Sequence, residues 1–174
     1  MTIIKLELIR GRTSLIIWSL AIAFVLGLCI VIYPQMSEQM GDISSAFASM
    51  GDFSAAFGMD RINYGEFNGY FGIECGNILG LGGAFFAALL GVSALAKEQK
   101  EHTAEFLLTH PIKRSHVAGM KLLAVMIQVV ILNLVSLIVC AVSTAAIGEE
   151  FFTKSIMLML LSYLIMHIEI AALT

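Results

Sequence analysis

The chain has 174 residues, of which 59% are hydrophobic and only 13% charged, with a formal net charge of −3 and a mean hydropathy of +0.90. A soluble domain carries about a quarter charged residues, so this composition excludes a water-soluble globular domain and predicts an all-α, polytopic helical membrane protein. Cys29, Cys75 and Cys140 form no CxxC or Cys/His grouping; they offer no disulfide framework and no metal site, and read as small apolar packing residues.

The opening segment, MTIIKLELIRGRT, reads either as a short interfacial helix or as a solvated tail whose Lys5, Arg10 and Arg12 stop transfer. The first span, residues 13–33, contains the run SLIIWSLAIAFVLGLCIVIY. At 1.5 Å per residue it covers the roughly 30 Å of a bilayer core. A signal peptide would have an apolar region of about 7–15 residues and a small-residue cleavage site. This run is longer and YPQMSEQM is a poor site, so the helix is retained, with Trp18 and Tyr33 near the interfaces and Pro34 ending it.

Residues 34–74 form an outer loop with a near-repeat, MGDISSAFAS at 40–49 and MGDFSAAFGM at 50–59. Ile43, Ala46, Phe47, Met50, Phe53 and Phe57 follow helical spacing, with Asp42, Ser45, Ser49 and Asp52 opposite. This predicts an amphipathic helix over 42–58, capped by Asp42 and stopped by Gly58. Its polar side carries Asp and Ser rather than the Lys and Arg of freestanding surface helices, which favours docking over the bundle. RINYGEFNGYFG then reads as a re-entry loop with aromatic anchors.

The second span, 75–96, is glycine-rich. Gly72, Gly76, Gly80, Ala84 and Ala88 form one row, and Gly83, Ala87 and Gly91 a second. Rows of small residues let helix backbones approach closely in lipid; a gating hinge is the alternative. Gly76, Gly80, Gly83 and Gly91 are the candidate packing residues.

Residues 97–121 hold Lys97, Lys100, Lys113, Arg114 and Lys121, half of the chain's 10 Lys and Arg. KEQKEHTAEFLLTH reads as a short helix broken at His110-Pro111, with Phe106, Leu107 and Leu108 at its apolar end. That is a shape for docking a soluble partner, whereas a plain stop-transfer loop needs only the charge. SHVAGMK then leads into the third span, 122–147, where Asn133, Ser136, Cys140 and Ser143 line one face and Gln128 lies off it. The stripe reads as interhelical glue or as the lining of a polar path. After a loop at 148–154, the fourth span occupies 155–174. His167 and Glu169 stand two residues apart, about 200° around the helix, and so are not a pair on one face. Glu169 is costly in lipid and is expected to face the bundle or water; with Asn133 it is the candidate translocation path.

Lys5, Arg10, Arg12, Lys97, Lys100, Lys113, Arg114 and Lys121 fall on one side of these spans, leaving Arg61 and Lys154 on the other. The positive-inside rule predicts a cytoplasmic N-terminus and a cytoplasmic 97–121 loop.

The pattern Glu98-x-x-x-His102-Thr103-x-Glu105-x-Leu107-Leu108-x-x-Pro111-Ile112-x-Arg114, with Lys121 at the next span, resembles the cytoplasmic loop of the ABC-2 family of ABC transporter permeases. His102 stands where that family usually has Gly. The resemblance runs over nearly the whole chain and implies four of six family spans; the fourth run is still apolar at Thr174, as expected of a truncated product or fragment. It implies an exporter permease subunit in the plasma membrane of a prokaryotic cell, working with a second copy or homologue. Glu98, Thr103, Glu105, Phe106, Leu107, Leu108, Pro111 and Arg114 would then seat on a separate ATPase subunit, which would bind the ATP. No cofactor on this chain, no catalytic residue and no nucleic acid partner are expected. The sequence has no GxxxxGK[ST] phosphate loop, which agrees with a separate ATPase. Two rivals fit less well. A membrane-embedded metalloprotease needs an HExxH helix, and no second His follows His167 at i+4. An ATP-independent channel or secondary transporter using Glu169 should show broken helices in repeated halves.

Overall fold

The computed structural model describes residues 2–49, 66–100 and 114–174. These residues contain helices and no strand: α1 (Thr2–Ala48), α2 (Phe67–Cys75), a π-helical turn (Gly76–Leu81), α3 (Gly82–Lys100), α4 (Arg114–Ile147) and α5 (Lys154–Leu173). α2, the π turn and α3 follow one another without a break. Four stretches are long and apolar enough to cross a bilayer: Ile3–Ser37, Phe67–Ala94, Ser115–Ile147 and Lys154–Leu173. Leu20, Phe24, Phe85 and Val142 are between 64% and 70% exposed. Water would penalise so much open apolar surface, whereas lipid tails cover it at no cost.

Contacts fix an up-down-up-down arrangement. α1 and α4 run in the same direction, because Glu7 meets Lys121 near one end and Gly27 faces Val139 and Ser143 further along. α2–α3 and α5 also run in one direction: Gly72 faces Met159, Gly83 faces His167 and Gly91 faces Thr174. At one end of the bundle an aromatic cluster joins α1, α2 and the loop between α4 and α5. The Tyr33 ring centroid lies 5.2 Å from that of Phe67 and 5.1 Å from that of Tyr70, and Phe71 lies 6.2 Å from Phe151. The start of α1, the end of α3, the start of α4 and the end of α5 gather at the opposite end.

Helix boundaries differ from the sequence reading in three places. Pro34 does not end the first helix; it lies inside α1, which runs on to Ala48. The proline removes the hydrogen bond that Ile30 O would receive. Close by, the Tyr70 hydroxyl donates to Cys29 O at 2.9 Å, and Ser37 Oγ donates to Pro34 O at 3.1 Å. Neither bond reaches Ile30 O; they tie the helix to α2 and to its own next turn on either side of the missing bond. Second, the segment read as a re-entry loop is already helical from Phe67, and Phe67, Tyr70 and Phe71 are buried in the core rather than anchored at an interface. Tyr33 is likewise buried in that cluster. Third, α4 starts at Arg114, so SHVAGMK is part of the third helix. The opening segment, left open as tail or interfacial helix, is continuous with α1. Of the helix expected over 42–58, residues 42–48 belong to α1, and Gly58 lies outside the described residues.

α4 ends as its sequence dictates. Gly148 takes φ +80°, its N–H donates to Ala145 O at 3.3 Å, and Glu149 N–H donates to Thr144 O at 3.2 Å. This is a Schellman stop, which glycine makes without strain. Thr153 then caps α5, its hydroxyl accepting from Ile156 N at 3.3 Å while donating to Asn68 Oδ1 at 3.1 Å.

Candidate functional site

Three of the four spans meet in a buried polar node centred on His167, whose side chain is fully buried. Its Nε2 lies 3.1 Å from Leu79 O, and a carbonyl only accepts, so this nitrogen carries the proton. Nδ1 of the neutral ring is then an acceptor. Asn133 Nδ2 stands 3.1 Å from it and also donates to Val129 O at 2.9 Å. Asn133 Oδ1 lies 3.3 Å from the same ring nitrogen. One imidazole thereby joins α4, α5 and the π turn, with both ring nitrogens satisfied. Unpaired polar groups are penalised at this depth, so the node works only as a completed set.

The glycine rows explain how the ring fits. A Cβ on Gly83 would collide with the His167 ring, and one on Gly91 would collide with Thr174 and Ala171 O. Gly76 and Gly80 face Tyr163, with prospective Cβ contacts of 3.1 and 3.3 Å. Both rows therefore meet α5, although the step from Gly80 to Gly83 falls short of one α-helical turn. Gly76 and Gly80 lie within the π turn, and Gly83 and Gly91 lie in α3.

Asn133 is half-buried and lines a groove between α4 and α5 with Val130, Leu134, Leu137, Met157, Leu160, Leu161 and Leu164. Glu169 is exposed on the outside of the bundle. The two residues expected to mark a path are therefore not brought together, because Glu169 lies across the helix from buried His167. Ser136 and Cys140 are buried, but the Ser136 hydroxyl donates back to Leu132 O within α4 at 3.0 Å. Of the predicted stripe, Asn133 hydrogen-bonds to another helix, and Ser143 faces Gly27 of α1. Cys75 and Cys140 are buried free thiols, and among the described residues no three His, Cys, Asp or Glu side chains gather as metal ligands.

A second node lies at the end where α3 and α4 meet. Lys121 is buried at 3% exposure; its Nζ donates to Ala94 O at 2.6 Å and stands 3.5 Å from Glu7 Oε1. Of the predicted docking residues, Glu98 lies in α3 and Arg114 opens α4. Thr103, Glu105, Phe106, Leu107, Leu108 and Pro111 lie outside the described residues. Sequence reasoning passed over His167 as a packing centre and gave Lys121 no contact. The available signal for His167 was its place on the Leu160–Tyr163–His167–Ala171–Thr174 face, spaced by three and four residues.

These features define a helical membrane protein whose spans are closed by small residues and internal hydrogen bonds. A family model described as ABC-2 family transporter protein matches residues 1–174, and the chain belongs to that family. It is a transmembrane permease component of an ABC transporter, and association with an ABC ATPase subunit goes with that membership. No curated protein and no solved structure matches the chain.

Proposed function

We propose that this chain is a permease subunit of an ATP-driven exporter, coupled through its 97–121 loop to a separate ATPase subunit. In this reading the N-terminus and the loop are cytoplasmic, in a prokaryotic plasma membrane, and a second permease copy or homologue completes the translocation unit. ATP binds the partner and draws two ATPase subunits together. That closure pushes on the seated loops and alternates the access of the spans. This chain makes and breaks no bonds; its work is mechanical. Asn133 in the α4–α5 groove is the polar contact this reading offers to cargo.

The observation that carries the reading is where the helices flanking the motif-bearing segment end. The end of α3 and the start of α4 lie at the end of the bundle that also holds Lys5, Arg10 and Arg12. Such a concentration of positive charge fits the cytoplasmic side. Phe106, Leu107 and Leu108 supply the apolar anchors, and truncating a central, fully desolvated anchor can cost about 2 kcal/mol or more. Phe106→Ala should therefore sharply reduce co-purification of the ATPase subunit, whereas Lys97→Ala at the rim should not. Equal recovery of the ATPase with Phe106→Ala and wild type would reduce this segment to a stop-transfer loop.

A further inference from the structure

The loop proposed to seat on the ATPase has two ends, and one side chain holds both. Lys121 belongs to the start of α4, yet its ammonium donates to Ala94 O near the end of α3, 27 residues earlier, at 2.6 Å. The same nitrogen stands 3.5 Å from Glu7 Oε1 on α1, with only 3% of the Lys121 side chain and 14% of the Glu7 side chain exposed. Three helices therefore converge on one buried charge. An ammonium withdrawn from water is tolerated when its partners replace the lost hydration. A carboxylate and a backbone carbonyl do so here. Four residues after Glu7, Gly11 packs against the Gln128 side chain of α4, so α1 and α4 stay in close contact beyond the node.

We infer that Lys121 is a positioning residue for coupling: it binds the two arms of the loop and the start of α1 into one rigid unit. A push received by the loop then reaches α1 and α4 together instead of bending the chain between Ala94 and Lys100. The inference rests on the docking reading of the loop, but Lys121 need not touch the ATPase. Its loss should therefore leave assembly intact and interrupt transmission. Methionine retains much of the length and bulk of lysine without its charge. Arginine retains the charge and the donors.

The test uses the full permease–ATPase complex in lipid nanodiscs. Spin labels are placed at Gln35 and Glu150, two exposed positions at the far end of the bundle, and magnesium ATP with vanadate serves as the probe. In the native background, trapping should shift the distance distribution between the labels. Lys121→Met should cut the shifted population at least fivefold while the ATPase still co-purifies within twofold of wild type. Lys121→Arg should restore most of the shift. Glu7→Gln, at a more exposed position, should reduce the shift several-fold and keeps the test decisive if Lys121→Met does not fold. An unchanged shift in Lys121→Met, or in Glu7→Gln where Lys121→Met is not recovered, overturns the inference. So does loss of the ATPase from a well-folded Lys121→Met complex, which would make Lys121 part of the docking surface. Failure of the docking reading itself is seen separately, as full ATPase recovery with Phe106→Ala.

Discussion

Truncating His167 to alanine removes the hydrogen bond to Leu79 O and the contact with Asn133, each at 3.1 Å. Interhelical hydrogen bonds in membrane proteins average about 0.6 kcal/mol and reach about 1.7, so the pair contributes roughly 1–3 kcal/mol. The ring is fully buried against Gly83, and an unfilled cavity of that size adds about 2 kcal/mol. His167→Ala should therefore cost about 3–5 kcal/mol. His167→Leu fills much of the space and should cost about 1–3 kcal/mol, the polar part alone. Glu169→Ala, two residues along and exposed, should stay within about 0.5 kcal/mol of wild type. The chain's single tryptophan, Trp18, packs on Phe86 with ring centroids 6.1 Å apart and reports the packed state. Unfolding in mixed micelles titrated with dodecyl sulfate, followed by Trp18 fluorescence, would rank the three variants. If His167→Ala and Glu169→Ala unfolded at the same point, the node would be incidental to stability.

Gly83→Ala should destabilise the native chain by about 2 kcal/mol through the clash with the His167 ring, and by less than about 0.5 kcal/mol once His167 is alanine, because the clashing group has gone; equal costs in the two backgrounds would refute the close approach. With eight basic residues on one side of the spans, a cysteine at Lys100 should resist an impermeant thiol reagent in intact cells while one at Asp52 is labelled, and the opposite pattern would invert the topology. If the segment after α1 docks over the bundle, Phe53→Asp should impair transport without reducing membrane insertion, because the new charge would be buried unpaired; wild-type transport would leave the segment without that role.

The membrane class and the four spans were legible because apolar run length is a direct reading of bilayer thickness. The family was legible because the loop motif combined order and spacing that no single residue carried. Pro34 misled, because a proline removes one hydrogen bond from a helix and need not end it; helices packed in a membrane bundle tolerate that loss. The aromatic stretch from Phe67 read as interfacial, since nothing local to the chain reveals that Tyr33 and Phe151 close around it. His167 and Glu169 were set on opposite faces, as the structure has them; Glu169, expected to face the bundle or water, is exposed, and the sequence reading did not see that His167 is the one buried. A neutral imidazole with two partners is far easier to bury than a carboxylate, and the carbonyl of Leu79 that completes the node belongs to a helix 88 residues away. Lys121 shows the same limit: its charge was visible in the sequence, whereas its partners Ala94 and Glu7 are brought to it only by the bundle.

A photocrosslink from the loop to its partner in the intact membrane shows directly whether the loop seats on the ATPase. A benzophenone amino acid replaces Phe106 in one experiment and lipid-facing Phe24, 70% exposed, in another. Irradiation should give an adduct between position 106 and an ATP-binding subunit, identified by mass spectrometry, with no such adduct from position 24. An adduct from neither position, or equal adducts from both, in chains that insert normally, would contradict the account of this loop as the seat of the ATPase.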